Sequence, residues 1–240
     1  MGTVVNGERR RFGPISNDTA GLATTLGQIG GEGVCRWKML MNGMHLEGHW
    51  NCVEYVVIEP GASIGEHVHV RTEEIYYIIS GHALMKINGE SIPCSAGDLI
   101  TAPIGTAHGI ENQSQEEVRF FVVEVFPGEG RGLKPALIHL PGLASDSGST
   151  DVDLKPYFSG DWRRFRLLEI AAQSHDDAIT TNSEVVHVLN GSASIHVADQ
   201  WHYQGNSGLS LALPPGTQRR ISNAAGNEPL RLIITEVAAA

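Results

Sequence analysis

Residues 61–112 read GASIGEHVHVRTEEIYYIISGHALMKINGESIPCSAGDLITAPIGTAHGIEN. Short runs of β-branched and aromatic residues alternate there with Gly, Pro and Asn, a pattern typical of strands joined by tight turns. Side chains two residues apart on a strand share one face, so His67 and His69 point the same way. The polar residues that follow are enough to reverse the chain, and an antiparallel return brings Glu74 opposite both imidazoles.

Four side chains of this stretch form a candidate metal site. His67, His69 and Glu74 make a set of two nitrogens and one carboxylate, which suits a divalent first-row metal. His108, from a later strand, adds a fourth ligand. A single imidazole in a β core is usually structural, but burying three imidazoles and a carboxylate without a cation would leave several polar groups unpaired. We therefore predict a metal-binding site.

The same stretch resembles both sequence signatures of the cupin superfamily. The first signature is Gly, five residues, His-x-His, three or four residues, Glu, six residues, Gly; the second is Gly, five residues, Pro-x-Gly, two residues, His, three residues, Asn. The matching positions are Gly61, His67, His69, Glu74 and Gly81 for the first, and Gly97, Pro103, Gly105, His108 and Asn112 for the second. The resemblance implies a double-stranded β-helix, or jelly-roll, barrel around the metal.

Two neighbouring carboxylates compete for the role of metal ligand. Glu73 and Glu74 both fit the gap after the histidines, but only Glu74 leaves six residues before Gly81. We predict that Glu74 faces the metal and that Glu73 faces away. By the same alternation, Tyr76 faces the interior beside the metal and Tyr77 faces another sheet or a partner.

The pattern begins again after residue 161, as expected for a tandem repeat. The repeated positions are Glu184 and Gly191 at an offset of 110 from Glu74 and Gly81, and Gly208, Pro214, Gly216 and Asn223 at an offset of 111 from the second signature. Residues 230–237 mirror residues 118–125 at an offset of 112. We predict an all-β protein made of two tandem cupin barrels.

The second copy has lost the metal ligands. At an offset of 110, the positions of His67 and His69 are Asp177 and Ile179, and the position of His108 is taken by Arg219. A guanidinium has no lone pair to offer a cation.

Only the carboxylate Glu184 survives in this copy, and we predict that Arg219 forms an ion pair with it inside the vacant barrel. His175 lies two residues before Asp177, and we do not expect it to restore the site.

The chain is divided as an N-terminal arm (1–34), a metal-binding barrel (35–135), a linker with one packing strand (136–160) and a second barrel without the metal site (161–240). The glycine cluster at 27–33 is interpreted as part of a flexible arm rather than a phosphate cradle, because no strand precedes it and no Lys-Ser/Thr pair follows.

Charge and cysteine content restrict the partners and the compartment. The net charge of −10 over 240 residues argues against nucleic acid, whose binders concentrate Lys and Arg on one face. No apolar run approaches the roughly 20 residues that cross a bilayer. The three cysteines, Cys35, Cys52 and Cys94, lack CxxC spacing, and the amino terminus has no charged-then-apolar segment, so we expect a reduced, cytoplasmic protein. The expected partners are a small-molecule substrate and a second copy in a homodimer.

The ligand set favours Mn, Fe, Ni or Co, since a six-coordinate ion keeps two adjacent open positions, whereas four protein ligands close a tetrahedral zinc site. Zinc that expands to five ligands is the alternative. Such an ion polarises a carbonyl as a Lewis acid or binds dioxygen beside a chelated substrate.

Cupins that resemble this one include isomerases, polyketide cyclases, decarboxylases, lyases and dioxygenases. We favour isomerisation, cyclisation or lyase chemistry on a small oxygenated metabolite, because the ligand set that contains Glu is often found in such cupins. A non-haem iron dioxygenase and a non-catalytic metabolite-binding cupin are the alternatives. The candidates for a general acid or base are Tyr76, His45, His49 and Glu54.

Overall fold

Antiparallel strands make up both halves of the protein. The computed structural model describes residues 14–130, 133–140, 148–224 and 228–239. The strands of the first part are β1 Ile15–Asn17, β2 Ala23–Leu26, β3 Val34–Asn42, β4 Trp50–Ile58, β5 Ser63–Val68, β6 Glu73–Ser80, β7 His82–Ile87, β8 Glu90–Ser95, β9 Asp98–Ala102, β10 Ala107–Glu111, β11 Val118–Val125 and β12 Ala136–His139.

The second part repeats this order. Its strands are β13 Ser149–Asp153, β14 Trp162–Ile170, β15 His175–Ile179, β16 Ser183–Asn190, β17 Ser192–Val197, β18 Trp201–Asn206, β19 Ser210–Leu213, β20 Gln218–Asn223 and β21 Leu230–Val237. Three 3-10 helices span Gln28–Gly30, Gly43–His45 and Lys155–Tyr157. No helix in these ranges is long and apolar enough to cross a membrane.

Each barrel is closed by one large and one small sheet. The first has the strand orders β12-β9-β6-β11-β4-β3-β2 and β5-β10-β7-β8, and the second has β1-β19-β16-β21-β14-β13 and β15-β20-β17-β18. The second barrel thus repeats the strand neighbours of the first. The prediction of an all-β protein with two tandem cupin barrels is confirmed.

Strands from the arm and the linker join these sheets. β1 pairs with β19 of the second barrel, while β12 extends the first barrel beside β9. Residues 1–13 of the arm and 141–147 of the linker lie outside the described ranges. The limits of the four segments stay a prediction.

The glycine cluster directly follows strand β2, contrary to the expectation that no strand precedes it, and it is packed against β5 instead of forming a flexible arm. The Ser63 amide donates to the Glu32 carbonyl at 2.8 Å. A Cβ on Gly31 would lie 2.2 Å from the Ser63 carbonyl oxygen, and a Cβ on Gly65 would lie 2.1 Å from that of Ile29. Glycine is required at both positions because two backbones meet there without room for a side chain.

The large sheets of the two barrels share one hydrophobic core, which contains Phe121 and Trp50 from the first and Phe165 and Ile233 from the second. As predicted, Tyr77 faces away from its own barrel, with its ring centroid 5.3 Å from that of Phe165.

Glu73, on the same face of β6 as Tyr77, is fully buried at this junction. It accepts hydrogen bonds from the Ser159 amide and hydroxyl, the Gly160 amide and the Trp162 indole. As predicted, its side chain points away from that of Glu74. Its hydrogen bonds connect β6 of the first barrel to the segment that leads into the second barrel.

His187 lies in the shared core and will make stability depend on pH. Its ring centroid is 4.9 Å from that of Phe121, and its Nδ1 is 2.8 Å from the Ser210 hydroxyl. Burial lowers the pKa of His187 from 6.5 to about 3. Between pH 6.5 and about 3, the imidazole is protonated in the unfolded chain but stays neutral in the folded chain. The free energy of unfolding therefore falls by up to about 1.4 kcal/mol for each pH unit of acidification.

We expect His187→Gln to flatten this slope between pH 6.5 and 4, measured by urea unfolding of chelator-treated protein. The glutamine lowers stability at every pH but does not titrate. The control is His82→Gln at an exposed position, which should keep the wild-type slope. An unchanged slope in His187→Gln would show that His187 is not the group responsible.

Candidate metal centre

Three imidazoles meet inside the first barrel because two neighbouring strands bring them together. His67 on β5 is paired directly with His108 on β10, and His69 follows the last residue of β5. The Nε2 atoms of His67 and His69 are 3.1 Å apart, and the ring centroids of His67 and His108 are 4.5 Å apart. One nitrogen from each ring falls within a group no wider than 4.8 Å. This spread suits donors around one ion, since metal–nitrogen bonds are about 2 Å long.

The other nitrogen of each ring is held by the surrounding chain. Nδ1 of His67 lies 2.9 Å from the Gly65 carbonyl oxygen, and Nδ1 of His108 lies 3.0 Å from the Thr106 carbonyl oxygen. A carbonyl only accepts, so both Nδ1 atoms carry the proton and both Nε2 atoms keep a lone pair. Burial lowers the pKa of His67 and His108, which favours the neutral, ligating form.

The Nδ1 atom of His69 is 2.9 Å from the Thr72 hydroxyl. All three rings are therefore oriented through Nδ1, as is usual for metal-bound histidines.

The Nε2 atom of His108 has no hydrogen-bond partner among the described residues, although it is buried. It lies 2.9 Å from Glu74 Oε2, but out of line for a hydrogen bond. Leaving a buried polar atom unsatisfied costs about 1–3 kcal/mol. The donor set thus fits a cation, which would bind this nitrogen and the carboxylate together.

Glu74 is buried on the inner face of β6, and the Tyr76 hydroxyl donates to its Oε2 at 2.8 Å. Burial and, secondarily, the charge of Glu124 raise the pKa of Glu74 to about 8, against the opposing influence of His69. A bound cation would lower this pKa and keep the carboxylate ionised. As predicted, Tyr76 faces the interior beside the cluster.

Glu124 is a member of the cluster that sequence reasoning missed. It is paired with Glu74 across β11 and β6, and oxygens from both lie within 4.8 Å of a nitrogen of His69. Asn51 Nδ2 donates to Glu124 Oε2 at 2.7 Å. The signal that was available is the repeat itself, since Glu236 stands at the equivalent position, 112 residues later.

The four candidates for proton transfer separate into two groups. Tyr76 and Glu54 belong to the interior, and burial, together with the charges of Glu124 and Glu74, raises the pKa of Glu54 to about 7.

The structure does not bring His45 and His49 to the cluster. Both are exposed on the connection before β4: His45 lines a cavity with Ser183 and Pro214 of the second barrel, and His49 Nδ1 lies 2.6 Å from Asp161 Oδ2. They fall outside the part of β4 whose alternate side chains point inward.

Cys52 neighbours these carboxylates and belongs to neither group of possible metal ligands among the described residues. Burial and the negative charges of Glu124, Glu54 and Glu74 raise its pKa far above the ordinary value for a thiol. All three cysteines are buried and free.

The second barrel has a guanidinium in the equivalent position. As predicted, Arg219 pairs with Glu184: its Nε donates to Glu184 Oε2 at 2.9 Å, and its Nη1 donates to Asp176 Oδ2 at 2.5 Å. Glu236 is matched in the same way by Arg164, whose Nε donates to Glu236 Oε1 at 2.8 Å.

The positions opposite Arg219 differ by one residue from those inferred at an offset of 110. Ala178 is paired with Arg219 as His67 is with His108, so the offset here is 111. Asp177 instead pairs with exposed Arg220, and Ile179 is 67% exposed. The physical reason is strand alternation, since a slip of one residue moves a side chain to the other face.

The position of His69 accordingly corresponds to Thr180, and neither Ala178 nor Thr180 replaces an imidazole. As expected, His175 does not restore the site: it is exposed, with Nε2 3.4 Å from Asp177 Oδ2 on the outer face.

Comparison with known proteins points to one superfamily. Residues 54–124 match the Cupin domain family. An oxalate-binding protein of Thermotoga maritima is 31% identical over 94 residues, which are 39% of this chain and 78% of that protein. The polyketide synthase protein CurC of Streptomyces cyaneus is also 31% identical over 94 residues, 38% of this chain and 58% of CurC.

The chain is similar in fold to a solved protein over most of its length. The crystal structure of the Escherichia coli protein Ylba superposes with a TM-score of 0.76, covering 94% of this chain and 91% of that one, at 15% identity. At this identity the likeness concerns the fold alone, and it extends over both barrels.

Proposed function

Because the chain belongs to the cupin superfamily, we propose that it is a metal-dependent enzyme whose first barrel binds a divalent transition metal through His67, His69, Glu74 and His108. The reaction is Lewis-acid isomerisation, cyclisation or lyase chemistry on a small oxygenated metabolite.

The observation that carries this proposal is the state of the three imidazoles. Their Nδ1 atoms are held by hydrogen bonds, and the Nε2 atom of His108 is buried without a partner. A purely structural cluster would satisfy that nitrogen instead of leaving it beside a carboxylate oxygen.

The preferred ions are Mn, Fe, Ni and Co, which take mixed nitrogen and oxygen ligands in six-coordinate geometry, with zinc as the alternative. When bound, the ion supplies a Lewis acid that polarises a carbonyl or hydroxyl oxygen of the substrate. The hydrophobic side chains that fill the rest of the barrel, including Phe120 and Ile100, limit the substrate to a small molecule.

The residues around the ion have different tasks. Tyr76 gives its hydroxyl proton to a hydrogen bond with Glu74, and its pKa is raised by burial and by Glu74, so it orients this ligand and does not exchange a proton. Glu54 is our candidate for the general acid or base, because it lies in the interior beside Glu74 and Glu124 without belonging to the ligand set, and burial raises its pKa above that of an ordinary carboxyl. A bound cation will move this pKa downward.

The names of two relatives support an oxygen-rich ligand. One is an oxalate-binding protein, and the other, CurC, is a polyketide synthase protein. Oxalate and polyketides both present closely spaced oxygens, which suit a hard divalent ion.

The test is to load the protein with Mn²⁺ and assay small dicarboxylates, hydroxyketones and polyketide-like diketones for a product peak. We expect a product that requires the metal, and we expect Glu54→Gln to lower turnover by about 100-fold or more at unchanged metal affinity. In the variant, the pH–rate profile should also lose the change in rate that the titration of Glu54 causes in the wild type. If Glu54→Gln turns over at the wild-type rate, Glu54 is not the proton-transfer group.

A second candidate function, metal-dependent binding without turnover, is favoured by the T. maritima relative, which is an oxalate-binding protein. Calorimetry with the same ligands separates the two functions. Saturable, metal-dependent binding with no product in any assay would replace the enzymatic proposal with the binding one.

A further inference from the structure

A pair of carboxylates occupies equivalent positions in both barrels. In the first barrel Glu74 on β6 is directly opposite Glu124 on β11, and in the second Glu184 on β16 is directly opposite Glu236 on β21. Like charges directly opposite each other on neighbouring strands are destabilising. Each pair therefore needs positive charge beside it.

The second barrel supplies this charge with two guanidinium groups. Arg219 binds Glu184, and Arg164, which is paired with Glu236 across β14 and β21, binds Glu236. Each carboxylate of the pair contacts a different arginine, and these arginines also contact Asp176 and Asp151.

The first barrel replaces both arginines by neutral side chains. His108 stands in place of Arg219, and Cys52, the residue opposite Glu124, stands in place of Arg164. Among the residues described in the structure, no Lys or Arg forms an ion pair with Glu74 or Glu124. The first barrel thus has two opposed carboxyl groups without an arginine beside either of them among the described residues, and a single divalent cation would supply the positive charge that two arginines supply in the second barrel.

Building on the proposed metal site, we propose that Glu124 is a fifth protein donor to the ion held by His67, His69, Glu74 and His108. An oxygen of Glu124, an oxygen of Glu74 and a ring nitrogen of His69 all lie within 4.8 Å of one another. Asn51 binds Oε2 of Glu124, which leaves Oε1 for the cation.

The unpartnered Nε2 of His108, 1% exposed, is an independent sign of a ligand at this place. It is buried 2.9 Å from Glu74 Oε2, and His69 is the residue that the three-histidine group shares with the group of Glu74 and Glu124.

A fifth donor limits what the ion does. A six-coordinate ion with five protein donors has one open position, enough to polarise one substrate oxygen. A dioxygenase that chelates its substrate and also binds dioxygen needs more than one open coordination position on the ion. The inference therefore favours redox-neutral Lewis-acid chemistry.

The experiment compares Mn²⁺ binding to wild-type protein, Glu124→Gln and Glu236→Gln. The glutamine keeps an oxygen to accept from Asn51 but removes the charge. Glu236→Gln is the matched control, since it makes the same change at the repeat-related position. Affinity is measured by titration followed by electron paramagnetic resonance, and water bound to Mn²⁺ by proton relaxivity.

We expect Glu124→Gln to weaken Mn²⁺ binding at least about tenfold. Where the site is still saturated, relaxivity should rise, because water takes the position that the carboxylate leaves. Undetectable binding in a Glu124→Gln variant that melts cooperatively also supports the inference. Glu236→Gln should bind as wild type.

Mn²⁺ affinity within threefold of wild type in Glu124→Gln, or weaker binding at unchanged relaxivity, would show that Glu124 is not a donor while leaving the four-ligand site intact. Failure of the wild-type protein to bind Mn²⁺, Fe²⁺, Co²⁺, Ni²⁺ or Zn²⁺ would overturn the proposed function as well.

Discussion

Replacing His108 by glutamine is expected to lower the affinity for Mn²⁺ by more than about a hundredfold, because changes that merely reorient a metal ligand already cost about 10–100-fold. His108 is buried, and its Nε2 has no hydrogen-bond partner among the described residues. We expect the fold to tolerate the substitution, because no hydrogen bond of the described residues depends on that nitrogen. Isothermal titration calorimetry of chelator-treated protein measures the effect.

Metal binding should also stabilise the wild-type protein. At free metal a thousandfold above the dissociation constant, linkage adds about 4 kcal/mol to the free energy of unfolding. The melting temperatures with Mn²⁺ and with chelator should therefore differ in wild type, whereas at the same free metal a site weakened a hundredfold or more keeps at most about 1.4 kcal/mol of this stabilisation in His108→Gln. The control is His202→Gln on the exposed face of β18, which should keep the difference. A metal-dependent shift in His108→Gln as large as that of the wild type would contradict the assigned ligand.

Arg219→Met is expected to destabilise the second barrel by about 3–5 kcal/mol, because it leaves the carboxylate of Glu184 buried without its cation. The guanidinium is almost fully buried and binds both Glu184 and Asp176. Urea unfolding at pH 7 measures the loss. Part of it should be recovered in the double variant Arg219→Met, Glu184→Gln, which removes the unpaired charge.

The neighbouring residue provides a matched control. Arg220 points to the outer face, where it pairs with exposed Asp177. Exposed ion pairs contribute little to stability, so Arg220→Met should leave the unfolding midpoint almost unchanged. Equal effects of the two substitutions would show that the buried ion pair contributes no more to stability than the exposed pair of Arg220 with Asp177.

Most of the candidate site in the first barrel was predictable, because its residues are close together in the sequence and strand alternation determines which way their side chains point. Two-residue alternation places His67 beside His69 and separates Glu74 from Glu73, and the structure has both arrangements. The ion pair of Arg219 with Glu184 followed from charge and repeat position alone. These inferences needed no knowledge of how distant strands pack.

The residues that were missed depend on pairing between distant strands. Glu124 enters the cluster through the register of β11 with β6, and the partner of Glu236 is Arg164, from a strand 72 residues earlier. The repeat offset also changes by one residue within the second barrel, so Asp177 was placed on the wrong face. His45 and His49 were grouped with Glu54 by proximity in sequence, whereas the β3–β4 connection carries them toward the other barrel.

The most direct test is elemental analysis of the purified chain after loading with a first-row metal and removal of excess ion by gel filtration. The account predicts one ion per chain in wild type, and none after His67 and His108 are both replaced by glutamine. No bound ion under any loading condition would contradict the claim that the leading barrel is a metal site. Two ions per chain would contradict the claim that arginine has replaced the metal in the other barrel.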